Sequence, residues 1–179
     1  MPAPAIINAG FVRTMAAYNA EMNERIYAAA ERLDDAVRRT DRGAFWHSIH
    51  ETLCHILWGD QIWMSRFGGW EKPTTSSKGG SDMIHDFSSL REARRIADSK
   101  ISAWANRIDA AWLEHDLTWF SGAAGKEITM PRSILVVHFF NHQTHHRGQA
   151  HALITASGEA TGDTDLFLMP DVVAAGMAS

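Results

Sequence analysis

The stretch Val137-His138-Phe139-Phe140-Asn141-His142-Gln143-Thr144-His145-His146-Arg147-Gly148-Gln149-Ala150-His151 holds five of the chain's ten histidines. On a helix, at about 100° per residue, His138, His142, His145, His146 and Gln149 fall within about a third of the circumference. Leu135 and Leu153 share that arc, one on each side of the histidines along the helix. A stripe bracketed by leucines faces a core, so these imidazoles are expected to point inward. A buried polar group without a partner costs about 1–3 kcal/mol, and one metal ion would satisfy several imidazoles together. A metal-free, internally hydrogen-bonded histidine core is the plainer alternative, and the spacing leaves both open.

Working outward, the helix that carries this stripe ends near Ser157-Gly158 and starts at Pro131, which suits a first helical turn because its missing N–H is harmless there. It is apolar on most sides (Val136, Val137, Phe139, Phe140, Ile154), which suits a central position or a subunit contact. Just before it, Leu117–Phe120 and Lys126–Met130 are β-prone runs around a glycine-rich turn, the pattern of a short hairpin. A first helix is expected over Ala9 to Val37, where Phe11, Met15, Tyr18, Met22, Ile26, Ala29 and Leu33 recur at steps of three and four. The second spans Ser48 to Phe67, with Ser48 and Glu51 spaced as a capping box. Its apolar face runs through Ile49, Leu53, Ile56, Leu57, Trp63, Met64 and Phe67, with His55 on the flank. Asp60 projects into the middle of that face and therefore needs a partner. Residues 68 to 81 read as a long glycine- and serine-rich loop. A third helix follows from Ser88 to Trp112, with Arg91, Glu92, Arg94, Arg95 and Lys100 read as its solvated face. The tail from Glu159 reads as turn, with a short apolar end that packs back or frays. These elements predict one all-α domain over residues 1–179, a four-helix bundle with a hairpin-like connection before its fourth helix.

A net charge of −4 lacks the basic footprint that nucleic acid or an anionic membrane requires. No apolar run approaches the roughly 18–20 residues of a membrane span, and the first ten residues lack a signal-peptide pattern. Cys54 is the sole cysteine, which excludes an internal disulfide and suits a reducing cytoplasm. It points about 100° away from His55 around the helix and reads as structural.

Histidines four residues apart on a helix stand about 6 Å apart, close enough for one metal to bridge at about 2.0–2.1 Å per bond. His138/His142 and His142/His146 are such pairs, His142/His145 is a third arrangement at i+3, and spacing does not choose among them. A further ligand must come from another helix, and His47, His50, His55, His85 and His115 are the candidates. No HExxH motif, CxxC pair or Glu-x-x-His set is present, which disfavours zincin, thiolate and carboxylate di-iron sites. What remains is a mononuclear three-histidine site with open positions, suited to Lewis-acid chemistry.

Asn141-His142-Gln143-Thr144-His145-His146-Arg147-Gly148-Gln149 resembles the fourth-helix signature of the DinB-like family of metal-binding four-helix bundles. Tyr18–Asn23, Ser48–Leu57 followed by Asp60 and Trp63, and Gly162–Leu166 resemble its first helix, second helix and closing turn, in the same order. The resemblance implies His55, His142 and His146 as ligands of one divalent ion, zinc or nickel. His138, His145, Asn141, Gln149 and Asp60 are then expected to support those ligands or line the pocket. It also implies a homodimer, and a thiol-dependent transferase or isomerase acting on a small molecule with a low-molecular-weight thiol. Hydrolysis by metal-activated water is a variant on the same site. The alternative is a non-enzymatic, stress-associated metal-binding or interaction protein whose ion holds the second and fourth helices together.

Overall fold

Asn8 accepts a hydrogen bond from the Phe11 amide at 2.8 Å and starts the first helix, α1 (Ala9–Glu31), in a computed structural model that describes residues 5–122 and 124–178. This helix stops short of Val37. Arg38 folds back to donate to the carbonyls of Ala30 and Leu33, so the end of α1 is satisfied from outside, and a separate short helix, α2 (Asp35–Arg39), follows. Next comes α3 (Ile49–Phe67), with Ser48 Oγ accepting from the Glu51 amide at 3.2 Å. The capping box is half made, because the Ser48 amide donates to the Trp46 carbonyl rather than to Glu51. One short turn of helix, α4 (Ser77–Gly80), interrupts the expected loop.

The helix α5 (Phe87–Ala105) is also shorter than its sequence pattern suggests. Asp109 accepts from the Trp112 amide at 2.8 Å and caps a new helix, α6 (Ala110–Glu114), instead of extending the old one. The expected hairpin is present as β1 (Asp116–Ser121) and β2 (Lys126–Pro131), antiparallel from Asp116↔Pro131 to Ser121↔Lys126. Pro131 closes β2 and caps α7 (Arg132–Thr155) rather than entering the helix. The tail is not frayed: α8 (Pro170–Met177) packs on α1, where a Cβ at Gly176 would collide with Thr14.

Four long helices make the bundle, with α3 against α7, α1 against α5 and α7, and α5 against α3. Among the described residues two large apolar clusters fill its core, and a small third one joins Met22 to Met169 and Val172. Of the large two, one gathers Val12, Met64, Ile101, Trp104, Phe139 and Phe140, and the other Tyr27, Leu53, Leu57, Leu90, Ala150 and Ile154. On every helix a polar belt separates them: Asn19 and Asn23 on α1, Asp60 on α3, Arg94 and Asp98 on α5, Gln143 and Arg147 on α7, all buried. Arg94 pairs with Asp60 and, at 2.8 Å, with Asp98. Gln143 Nε2 donates to Asp60 at 2.7 Å, Asn19 and Asn23 donate to Asp98 at 3.1 and 2.9 Å, and Arg147 donates to Asn19. Arg94 therefore does not belong to a solvated face; it is 2 % exposed and answers Asp60's need for a partner. Burial works against its charge, but Asp98 and Asp60 more than offset that and raise its pKa. No helix among the described residues is long and apolar enough to cross a membrane.

Candidate metal centre

On α3 the face that follows the apolar stripe carries His55 and, one turn later, Gly59. Gly59 has no side chain to hold α7 away. A Cβ built there would stand 2.7 Å from Cε1 of His142 and 3.1 Å from its Nδ1, so only glycine lets that imidazole rest against the helix backbone. His146 follows His142 by one turn of α7. The ligand atoms of His55, His142 and His146 lie within 4.8 Å of one another, and the three could hold a metal ion. His55 Nε2 faces His142 Nε2 at 3.3 Å.

The protonation of these rings suits a cation. Burial pushes the His55 pKa down to about 3, with His146 and His142 lowering it further. Burial likewise takes His142 to about 4, helped by His146, His138 and His145, and it lowers His146 as well. All three are neutral at pH 7 and keep a lone pair each. His146 Nδ1 lies 2.7 Å from Gln149 Oε1, an acceptor, so Nδ1 carries the proton and Nε2 is left with the lone pair. Among the described residues His55 Nδ1, though buried, has no hydrogen-bond partner. The donor set therefore fits a divalent ion that accepts imidazole nitrogen.

Two indoles lie nearly parallel to the His55 ring, Trp46 at 3.9 Å and 23° and Trp58 at 5.8 Å and 22° between centroids. Trp46 sits in the turn before α3, where His47 is held at φ 57, a left-handed conformation that costs a non-glycine residue about 1–2 kcal/mol. The Arg42 amide bonds the His47 carbonyl and the His47 amide bonds that of Ala44, both at 2.9 Å, and these fix the turn. Trp58 is held by its indole N–H on the Thr75 carbonyl at 3.1 Å, and Gly80 packs so closely on it that a Cβ would stand 2.4 Å from the ring. The loop after α3 thus covers one flank of the site.

The other sequence candidates separate. Gln149 is half-buried and orients His146. His145 is exposed, with its ring 4.9 Å from that of His146, and Asn141 is exposed nearby. His138 is largely solvent-facing and packs edge-on against Trp63 at 5.0 Å, so neither it nor His145 points into the core as the leucine bracket suggested. Asp60 faces the polar belt. His50 is committed to the Ile84 carbonyl at 2.8 Å, while His47, His85 and His115 are outside the group. Cys54 is buried against the same carbonyl, and burial raises its pKa to about 11, so it is held as the unreactive thiol. Sequence reasoning missed Trp46, Trp58 and Gly59. A small residue one turn from a candidate ligand was the available signal for Gly59; nothing in the spacing marked the two tryptophans.

The chain resembles, in its fold, the crystal structure of a DinB-like protein from Bacillus cereus: TM-score 0.59, 19 % identity, over 79 % of this chain and 89 % of that one. No curated protein matches it. The sequence profile of the DinB family matches residues 6–174, which takes in all four long helices and the three histidines, and on that match the chain belongs to the DinB family.

Proposed function

We propose that the protein is a metal-dependent enzyme that binds one divalent ion, zinc or nickel, through His55, His142 and His146, and transfers a low-molecular-weight thiol to a small substrate or hydrolyses one. What supports this reading is the convergence of three neutral imidazoles from two helices within 4.8 Å. A divalent ion bound by His55, His142 and His146 would supply Lewis acidity, which lowers the pKa of a thiol or a water. The chain's own residues do the rest. Gly59 seats His142, Gln149 keeps the proton on His146 Nδ1, and the indoles of Trp46 and Trp58 shield His55 from water. His142 is the least buried of the three, so substrate approaches past it, where His138, Asn141 and His145 offer polar contacts. A cytoplasmic homodimer is the assembly we favour, and the exposed pair Phe167 and Leu168, 74 % and 61 % accessible, offers an apolar contact for it.

The test is elemental analysis of untagged protein beside His55→Ala and His142→Ala, followed by a panel of thiols and of esters and amides. About one equivalent of metal, lost in both variants, with thiol consumed or a bond hydrolysed by the wild type, is the expected result. Bound metal without turnover, together with a large loss of thermal stability on chelation, would instead favour an ion that only holds α3 and α7 together.

A further inference from the structure

Thr144, Arg147, Gly148 and His151 lie about half a turn around α7 from His142. They line a cleft of about 480 Å³ whose far wall is α1 and whose rim is the turn over residues 161–165. This is a built cleft. Tyr18 OH donates to the Thr164 carbonyl at 2.8 Å, Arg25 donates to that of Asp163 at 2.9 Å, and His151 Nδ1 meets Thr161 Oγ1 at 2.6 Å, so three side chains pin the rim in place.

At its base is a cation with no carboxylate of its own. Arg147 is 5 % exposed, and no Asp or Glu oxygen lies within 4.0 Å of it among the described residues. Among the described residues its hydrogen bonds go to neutral oxygens, Asn19 Oδ1 and, at 3.4 Å, Thr144 Oγ1. Arg94, buried to the same degree, has two carboxylates. Burial without a direct counter-ion lowers the Arg147 pKa to about 10, and Asp60 and Asp98 compensate it only from a distance. The other charges at the cleft are differently placed. Arg25 is paired with Glu21 at 2.7 Å, while Asp163 and Asp165 are exposed and screened by solvent. Met22 and Ile26, each 5 % exposed, make the wall apolar.

We propose that this cleft is a second binding site, separate from the three histidines, for a small organic carboxylate whose head group pairs with Arg147 and whose body lies on Met22 and Ile26. A planar guanidinium matches a carboxylate with two parallel bonds. One buried cation balances one negative charge. An inorganic phosphate dianion would carry a second charge that no unpaired arginine of the lining balances, since Arg25 is held by Glu21, and would leave the apolar wall uncovered.

The experiment is an NMR titration of ¹⁵N-labelled protein with benzoate, with neutral benzamide and with inorganic phosphate. Benzoate is expected to saturate with a millimolar Kd and to shift the amides of Thr144, Gly148 and Thr164, with benzamide and phosphate at least about tenfold weaker. Arg147→Gln should lose benzoate binding. Because that residue is buried, Gly148→Leu is the companion variant: a Cβ there meets nothing within 4 Å, so the leucine fills the cleft without entering the core. It should abolish binding while leaving the fold and the metal content unchanged. Benzoate binding unaltered in Gly148→Leu, no saturable shift at the cleft amides up to about 20 mM, or shifts confined to His142 and His146 would each overturn the proposal.

Discussion

His142 rests on the backbone of Gly59, and a single added methyl group would stand 2.7 Å from its Cε1. In an ordinary helix interior, Gly→Ala adds about 1 kcal/mol of stability. Here Gly59→Ala should do the reverse, displacing the imidazole and lowering metal affinity by at least about tenfold. Chelator competition and thermal melts of the same preparation measure both effects. A variant that melts higher and keeps its metal would show that the two groups are not in contact.

The depressed imidazoles set a pH dependence. A histidine whose folded pKa lies below its unfolded value of about 6.5 disfavours the proton in the native state, so its stability contribution is present above pH 6.5 and is lost on acidification. With His55 at about 3 and His142 at about 4, the metal-free protein should lose thermal stability steadily from pH 6.5 toward pH 4. His142→Asn should flatten that slope. Melts in a chelating buffer across this range would reveal a level profile if the rings were not buried as described.

In the polar belt, Arg94→Met strands Asp60 and Asp98 without their cation. Breaking a buried pair from one side costs about 3–5 kcal/mol. The expected result is a loss of that size in urea unfolding at pH 7, partly recovered when Asp60→Leu is added. A loss below about 1 kcal/mol would mean the pair is solvated.

Trp46→Ala removes the indole stacked on His55 and leaves all three histidines in the chain. The variant should still take up one equivalent of metal but release it to a chelator about tenfold faster, through freer access of water and competing ligand. Stopped-flow transfer to a coloured chelator gives the rate. An unchanged rate would show that the indole does not guard the site.

The bundle was legible in the sequence because its helices repeat at three and four residues and because Ser48 and the hairpin residues act locally. The helix ends were harder. Arg38 and Asp109 end or restart helices through side-chain hydrogen bonds that periodicity does not register. Arg94 shows a different failure. It follows Leu90 by four and precedes Ala97 by three, inside the buried stripe, yet its charge suggested water. Asp60, a carboxylate amid apolar neighbours, was the complementary clue, and pairing the two needed the third dimension. The histidine spacing left several pairs open along α7; that His138 and His145 face outward follows from where α3 lies, which no spacing encodes. Trp46 reaches His55 through a left-handed turn, and a turn of that kind at a non-glycine residue leaves little trace in sequence.

The indoles stacked on His55 have an optical consequence. Trp46 lies 3.9 Å from a ring whose charge and electron density change when it gains a proton or a cation, a distance at which an excited indole is quenched by an imidazolium. The protein therefore carries its own emitter at the site, and occupancy can be followed in unlabelled material as the part of the intrinsic-fluorescence change that Trp46→Phe removes, against the background of the six other tryptophans.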